Sequence, residues 1–397
     1  MHGVNMENLP PRVCPFEGDA STTEPGPMTR VTLHGGQEVW AASRHADVRA
    51  VLTDPAFSAD RANPNFPFLG TRRVQQDNGL KPALLTMDPP EHGPARRMVL
   101  GEFTVKRLAA LGPRIQQIVD DHVDAMLASQ DRTADLVPAL ALPVPSLVIC
   151  ELLGVPYTDH DFFQSRSRTL ISRLSTPEQV KAAADDLREY MDKLVTEKEA
   201  APTDDLVGRQ IVKRRAEGVE DHDALVSLAV LLLIAGHETT ANMISLGALA
   251  LLRHPDQLAE LRADPTKTLG AVDELLREFT ITEFVTSRVA VRDTVVGGVA
   301  VKAGEGVLTL GNAANHDPDV FENPHQLDIH RGGRNHIAFG YGAHQCIGQN
   351  LARVELRIVF DTLFRRVPTL RVTVPVSELS FKDDAAVYGL HSLPVGW

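Results

Sequence analysis

Three features of the chain predict a mainly helical fold with small β-sheets near its two ends. Helical periodicity fills most of the sequence, including one long apolar run between 221 and 253. Two glycine pairs, Gly35-Gly36 and Gly297-Gly298, sit between short strand-like segments and read as hairpin turns. Alternation of apolar and polar residues returns towards the C-terminus. Taken in order, 30–33 and 38–41 flank the first glycine pair and form the first hairpin. Segment 44–52 is a short helix with Val48, Val51 and Leu52 on its apolar side. Helices follow over 96–103, 105–129 and 146–153, the last stopped by Gly154 with Pro156 behind it. Segment 178–198 is amphipathic and highly charged, the pattern of a surface helix. The long helix takes Asp221 or Asp223 as N-cap. It stops at His254-Pro255, because a residue before proline is pushed out of helical conformation. At about 1.5 Å per residue it spans roughly 45 Å, enough to cross a whole domain. Segments 294–296 and 299–301 make the second hairpin, and 370–374 and 385–395 close the chain as short strands.

The 397 residues contain no Ser/Gly-rich linker, long charge block or internal repeat, so a single domain over 1–397 is expected. With 43% hydrophobic and 23% charged residues, the composition is that of a globular protein. A net charge of −12 argues against nucleic-acid binding, which needs a basic footprint. Cys14, Cys150 and Cys346 form no CxxC pair and leave an odd one over, which fits a reducing cytoplasm better than a disulfide scaffold or a zinc site. Residues 1–11 have no apolar core, so neither a secretory signal nor an anchor is expected there. Segment 224–252 is apolar enough to suggest a membrane span. Glu238 at its middle would be costly in lipid, so a buried helix in a soluble, cytoplasmic, monomeric protein is the expectation.

The stretch 339–353 reads FGYGAHQCIGQNLAR. Cys346 runs straight into an amphipathic helix beginning near Ile347, where the macrodipole and free backbone N–H groups favour a thiolate. Gly340 and Gly342 let the backbone between Phe339 and the cysteine fold back. Such a thiolate suits the axial position of a haem iron. The segment resembles the haem-binding loop of cytochromes P450, matched at Phe339, Gly340, Gly342, His344, Cys346 and Gly348. The resemblance extends over nearly the whole chain. It implies the cytochrome P450 fold, with haem b (iron protoporphyrin IX) between the long central helix and the cysteine loop, and Cys346 as the iron ligand.

Further motifs fit the same family. Ala235-Gly236-His237-Glu238-Thr239-Thr240 places a glycine, an acid and hydroxyls inside the long helix, where glycine costs about 0.8–1.0 kcal/mol against alanine. The Thr239 hydroxyl is within reach of the Ala235 carbonyl four residues back, which bends a helix and opens it locally. The resemblance makes Glu238 and Thr239 an acid–alcohol pair that delivers protons to bound dioxygen, with Ala235 and Gly236 on the haem-facing stretch. Glu274 and Arg277, three apart, share a helix face; the resemblance buries them with Arg331 as a structural trio. It assigns the two haem propionates to His92, Arg96, Arg288 and His344, and packs Phe339 on the proximal face of the macrocycle.

The chain has no dinucleotide fingerprint in a βαβ setting. The resemblance therefore implies electrons from a separate ferredoxin and ferredoxin reductase. A basic patch of Arg96, Arg97, Lys106, Arg107, Arg353 and Arg357 would steer an acidic ferredoxin. Phe66, Phe68, Leu69, Leu233, Phe284, Val285 and Leu390 are expected to line a hydrophobic substrate pocket, and Arg72 and Arg73 lie in the same stretch as solvated surface charges. The expected activity is hydroxylation or epoxidation of a sizeable hydrophobic small molecule: a natural product, macrolide or steroid-like compound. A peroxygenase, reductase or dehydratase often lacks the acid–alcohol pair, and a non-turnover haem sensor would need no proton relay. Two departures stand out: Asn315-His316-Asp317 has histidine where the family commonly has arginine, and Glu238 stands in for aspartate.

Overall fold

The computed structural model describes residues 4–5, 25–33, 36–68, 80–172, 174–383 and 385–397, apart from the side chains of residues 4, 5, 283 and 284. Cys14, Gly35, Leu69, Arg72, Arg73 and the side chain of Phe284 lie outside the described residues. In chain order the elements are β1 (Val4–Asn5), β2 (Thr29–Thr32), β3 (Glu38–Ala42), α1 (His45–Thr53), β4 (Phe57–Ser58), α2 (His92–Leu100), α3 (Val105–Leu127), β5 (Thr133–Asp135), α4 (Pro143–Leu153), α5 (His160–Ile171), α6 (Pro177–Ala200), α7 (Leu206–Ala216) and α8 (His222–Arg253). They continue with α9 (Pro255–Ala263), α10 (Thr268–Phe279), β6 (Arg288–Ala290), β7 (Thr294–Val296), β8 (Val299–Val301), β9 (Gly306–Thr309), α11 (Gly311–Asn315), α12 (Gln349–Arg366), β10 (Arg371–Val372) and β11 (Pro394–Gly396). Helices dominate the described residues, and the strands among them gather into three sheets.

The largest sheet has the order β1-β2-β3-β9-β6-β4, joining the N-terminal hairpin to strands late in the chain. β3 runs parallel to β9 with Trp40 opposite Val307, and β6 runs antiparallel to β9 with Arg288 opposite the same valine. The second hairpin, β7–β8, turns at Gly297 and Gly298, with φ of 56° and 81°. Both values lie in the left-handed region that glycine adopts without strain. β10, β11 and β5 form the third sheet.

α8 forms as the sequence leads one to expect: the Asp221 side chain accepts the Ala224 N–H at 3.1 Å as N-cap, and the helix ends before Pro255. By length and composition α8 could cross a membrane, yet most of it is buried in the core against α4, α6, α10 and α12. Two glycines mark its close crossings. A Cβ on Gly247 would lie 2.6 Å from the Phe360 ring of α12, and one on Gly236 would lie 2.7 Å from the Ile149 side chain of α4.

At its start α8 is clamped to α6. His222 faces Glu199 through Nδ1 at 3.0 Å and Asp192 through Nε2 at 3.1 Å. Burial pulls its pKa down, but the two carboxylates outweigh burial and the net shift is upward. A raised folded pKa contributes stability that is complete below the unfolded value of about 6.5 and is lost as pH rises through the folded value. His222→Gln should therefore flatten the loss of thermal midpoint between about pH 6 and pH 9 relative to the native chain; parallel curves would show that the clamp contributes nothing.

One expected element is not a continuous strand. Across 385–395 the backbone partners change every few residues: Ala386 donates to Ile171, Tyr388 to Ile281, and Leu393 to the Asp135 carboxylate. Isolated bridges at Ala385 and Leu390, and then β11, replace a single ladder. The resulting C-terminal hairpin, which pairs Phe381 with Leu390 and Lys382 with Gly389, reaches α8.

Candidate active site

The cysteine loop is held by its own backbone. Cys346 N–H donates to the Phe339 carbonyl at 2.8 Å, closing the loop, and Gly340 N–H donates to Ile337 at 2.8 Å. Gly340 and Gly342 have φ of 70° and 72°, and a Cβ at Gly342 would lie 2.8 Å from the Leu52 carbonyl. The turn is thus pressed against the end of α1, where only glycine fits. Gly348 precedes α12, and the N–H groups of Gly348 and Gln349 donate to the Cys346 sulfur. Burial nevertheless pushes the Cys346 thiol above its ordinary value, against these donors and the nearby Arg96 and Arg353. Cys346 is at once accessible and deep within the protein. Both descriptions hold for a sulfur on the wall of an internal hollow.

Phe339 is backed by Arg353, whose guanidinium lies 4.6 Å from the ring centroid while its Nε donates to Asp273 at 2.7 Å. Arg353 is therefore committed to Asp273 and Phe339, and it leaves the expected basic patch. Arg107 leaves it too, paired with Glu102 at 3.0 Å, and Arg96 is half-buried with Nη2 donating to the Gln345 carbonyl. Arg97 and Lys106 remain exposed, with Arg357 half-buried and the exposed apolar side chains of Leu100 and Val105 nearby in sequence.

The middle of α8 shows the same signature as the sulfur. Ala235 is exposed within a helix whose neighbouring turns are buried, and Leu231 and Thr239, one turn to either side, are only half-buried. A stripe at four-residue spacing therefore faces open space inside the protein. Thr239 Oγ1 donates to the Ala235 carbonyl at 2.8 Å, as the sequence suggests, and the helix continues unbroken. Gly236 faces the other way, against Ile149, so close helix packing accounts for this glycine. Glu238 is 2% exposed and ion-paired to Lys382 at 3.4 Å, a partner that sequence reasoning missed.

A cluster of cations and imidazoles completes the site. His92 and His344 stack with centroids 4.0 Å apart and planes at 14°. His92 Nε2 and His344 Nδ1 are buried without protein partners. Burial, Arg288 and His92 push the His344 pKa down to about 3; burial and Arg96 lower that of His92. Arg288, on β6, is 4% exposed and donates to the Thr286 and Ser287 carbonyls at 3.0 and 2.9 Å. Burial pushes its pKa down to about 10. Arg61, also missed from sequence, donates to the Val285 carbonyl at 3.2 Å and lies close enough to depress Arg288 further. Asp88, the nearby acid, is already occupied by the Ala59 N–H at 2.8 Å and the Ser58 hydroxyl. Among the described residues, Arg61, Arg96 and Arg288 have no ion-paired carboxylate. One buried and two half-buried cations with no ion-paired carboxylate, beside two orphaned imidazole nitrogens, call for anionic groups from outside the chain. A planar cofactor with two carboxylates and a thiolate-seeking iron fits this donor set.

Glu274 and Arg277 of α10 are fully buried and joined by Nε–Oε2 and Nη2–Oε1 contacts of 2.8 and 2.9 Å. Arg331 Nε reaches both carboxylate oxygens of Glu274 at 3.1 Å. Arg277 also donates to the Asn315 and Pro324 carbonyls at 2.9 and 2.7 Å, tying α10 to the segment that leads to the cysteine loop. Where the family commonly has arginine, His316 meets Glu278 at 3.3 Å.

The expected pocket residues divide. Phe68 and Val285 are half-buried, while Phe66 is 4% exposed and stacks obliquely on Phe68 at 5.2 Å. Leu233 does not line the open side of α8: it is sealed, at 1% exposure, in a small gap with Ile149, Cys150, Phe163 and His237. Leu390 is fully buried in the core and is no wall of an open pocket. Leu233 falls on the α4 side because its helical phase differs from that of Ala235, a distinction that hydrophobicity alone does not make.

Comparison with known proteins agrees with this geometry. A family model described as "Cytochrome P450" matches residues 20–374. Cytochrome P450-SU2 of Streptomyces griseolus is 50% identical over 387 residues, 97% of this chain and 94% of that protein. Cytochrome P450 MoxA of Nonomuraea recticatena superimposes with a TM-score of 0.89 at 56% identity, covering 97% of each chain. The mycinamicin VIII C21 methyl hydroxylase MycCI of Micromonospora griseorubida, solved with mycinamicin VIII, gives 0.88 at 41% identity, covering 94% of each.

Proposed function

The chain belongs to the cytochrome P450 family, a haem-thiolate monooxygenase family, and on that premise we propose that Cys346 is its iron ligand. When bound, the haem supplies an iron centre for dioxygen activation, with the thiolate pushing electron density toward O–O cleavage. The chain's own residues do the rest. Gly348 and Gln349 N–H groups hold charge on the sulfur, and Phe339, braced by Arg353, supports the proximal face. His92, Arg96, Arg288 and His344, together with Arg61 beside Arg288, would receive the two propionates. Thr239 orients a proton donor at the open stripe of α8, and Glu238 passes protons to it. Phe66, Phe68 and Val285, with Leu69 and Phe284, shape the substrate side.

The reaction is hydroxylation or epoxidation of a sizeable hydrophobic natural product. MycCI, which was solved with mycinamicin VIII, supports a substrate of that size. Electrons come from a separate ferredoxin and its reductase, which dock where exposed Arg97 and Lys106 neighbour exposed Leu100 and Val105 in sequence, with Arg357 of α12 as a further cation. The protein acts as a cytoplasmic monomer, with the apolar length of α8 accommodated in its own core.

The observation that carries this reading is Cys346: accessible, deep, and supplied with two backbone N–H donors. The test is the absorption spectrum of the dithionite-reduced, carbon monoxide-bound protein. A strongly red-shifted Soret band is expected, and Cys346→Ser should abolish it. A band at the position typical of histidine ligation in the native protein would reject the assignment.

A further inference from the structure

We infer that Lys382 is a positioning residue for proton delivery. It holds the Glu238 carboxylate against the C-terminal hairpin, and displacement of that hairpin by a bound substrate releases the acid. This inference rests on the reading of Glu238 and Thr239 as the proton relay. The carboxylate is 2% exposed, and among the described residues the one cation paired with it is Lys382 Nζ at 3.4 Å. The same ammonium donates to Asn242 Oδ1 at 2.9 Å, one helical turn further along α8. Lys382 is the more accessible partner, with 15% of its side chain exposed, so it stands between the acid and water.

The hairpin that carries Lys382 is built to sense its surroundings. Lys382 N–H donates to the Gly389 carbonyl at 2.9 Å, and Phe381 bridges Leu390 across the hairpin. Phe381 and Tyr388 stack at 5.8 Å. Gly389 lies so close to α8 that a Cβ there would sit 2.0 Å from Asn242 Oδ1. On its other sides the hairpin is stitched to Ile171, at the end of α5, through Ala386 N–H, and to Ile281 through Tyr388 N–H, both at 2.9 Å. Ile281 leads into Phe284 and Val285, two of the expected pocket residues, and Ile171 closes α5. A molecule that shifts either one pulls on the hairpin, and the hairpin holds the acid.

A buried ion pair is weak evidence for stability by itself, because desolvation offsets much of the attraction. A role in timing makes a different demand. A proton donor freed before substrate arrives lets two electrons and two protons pass to dioxygen, and hydrogen peroxide leaves. Lys382 suppresses that leak by keeping Glu238 engaged. Among the described residues His237 is a further titratable neighbour; burial keeps it below its ordinary value despite Glu238, so it is a poor substitute for the ammonium.

The test uses the holoenzyme with its electron donors and no substrate. Lys382→Met should raise hydrogen peroxide formation about fivefold, equivalent to roughly 1 kcal/mol of barrier. Lys382→Arg should stay near native. Gly389→Ala, which keeps Lys382 but drives the hairpin off Asn242, should leak like Lys382→Met even where that variant folds poorly. A second readout is the infrared carboxylate band of the ferric protein, identified by its loss in Glu238→Gln. That band should move in Lys382→Met and Gly389→Ala but not in Lys382→Arg. If Lys382→Met and Gly389→Ala leave both readouts native while Glu238→Gln changes turnover, the positioning role is wrong and the relay stands. If Glu238→Gln itself changes nothing, the relay reading fails and this inference fails with it.

Discussion

Arg277→Leu is expected to remove about 3–5 kcal/mol of stability, the cost of leaving a buried carboxylate without its main partner. Against a typical total of about 5–15 kcal/mol, that loss brings the chain close to unfolding. The size follows from the geometry. Arg277 is fully buried, and its guanidinium serves Glu274 twice, Glu278 once, and the carbonyls of Asn315 and Pro324. Removing it leaves the Glu274 charge with Arg331 and the Asp328 N–H and takes a donor from two backbone carbonyls. Arg277→Lys should recover only a small part, because an ammonium cannot present the planar fork that reaches all these acceptors. Chemical denaturation measures the loss, and haem content reports whether the segment before Cys346 has come loose. Near-native stability of the lysine variant would mean that charge alone matters and the fork does not. Arg331→Leu should cost less, since its side chain is 11% exposed and water can replace part of what it offers.

The sequence shows most clearly the elements whose causes are local. α8 could be read to within two residues because its cap, its apolar run and its proline stop are all short-range signals. The hairpin at Gly297-Gly298 was legible for the same reason: two adjacent positive-φ residues leave few alternatives to a tight turn. Helices α5 and α7 were not singled out, having mixed polarity and no comparable run. The alternation over 385–395 suggested a strand, but three different neighbours claim its backbone, and a ladder needs one. At the site, the cysteine motif names the residue types, while their partners come from distant sequence. Arg353 meets Asp273 from 80 positions away and Lys382 meets Glu238 from 144. A charge run suggests a docking patch until the fold shows which charges are already paired. The same holds for Leu233: its apolarity was evident, but only the phase of α8 against α4 decides which side it faces.

Thr239→Ala should leave haem binding intact and lower product formed per electron pair by about tenfold, equivalent to roughly 1.4 kcal/mol. That is a modest share of the 10²–10⁴-fold usually contributed by a placed proton donor or acceptor, because water can fill part of the space. In the folded chain the Thr239 hydroxyl donates its proton to the Ala235 carbonyl. Its oxygen lone pairs are therefore free to accept from a water or an acid on the open side of the helix. The bond also fixes the rotamer, so the acceptor stays aimed rather than turning with the solvent. Alanine removes both effects, the acceptor and the bond that positions it. Thr239→Ser separates them from simple helix packing: it keeps the hydroxyl and the bond to Ala235 while losing only a methyl group. Serine should therefore retain most of the coupling. If serine fails as badly as alanine, the methyl and its packing matter, and the hydroxyl is not the relay. If alanine keeps native coupling with electron consumption unchanged, protons reach dioxygen by a path that does not include Thr239. Measuring product, electron consumption and peroxide together decides among these, since a damaged fold lowers all three while a lost proton path converts product into peroxide.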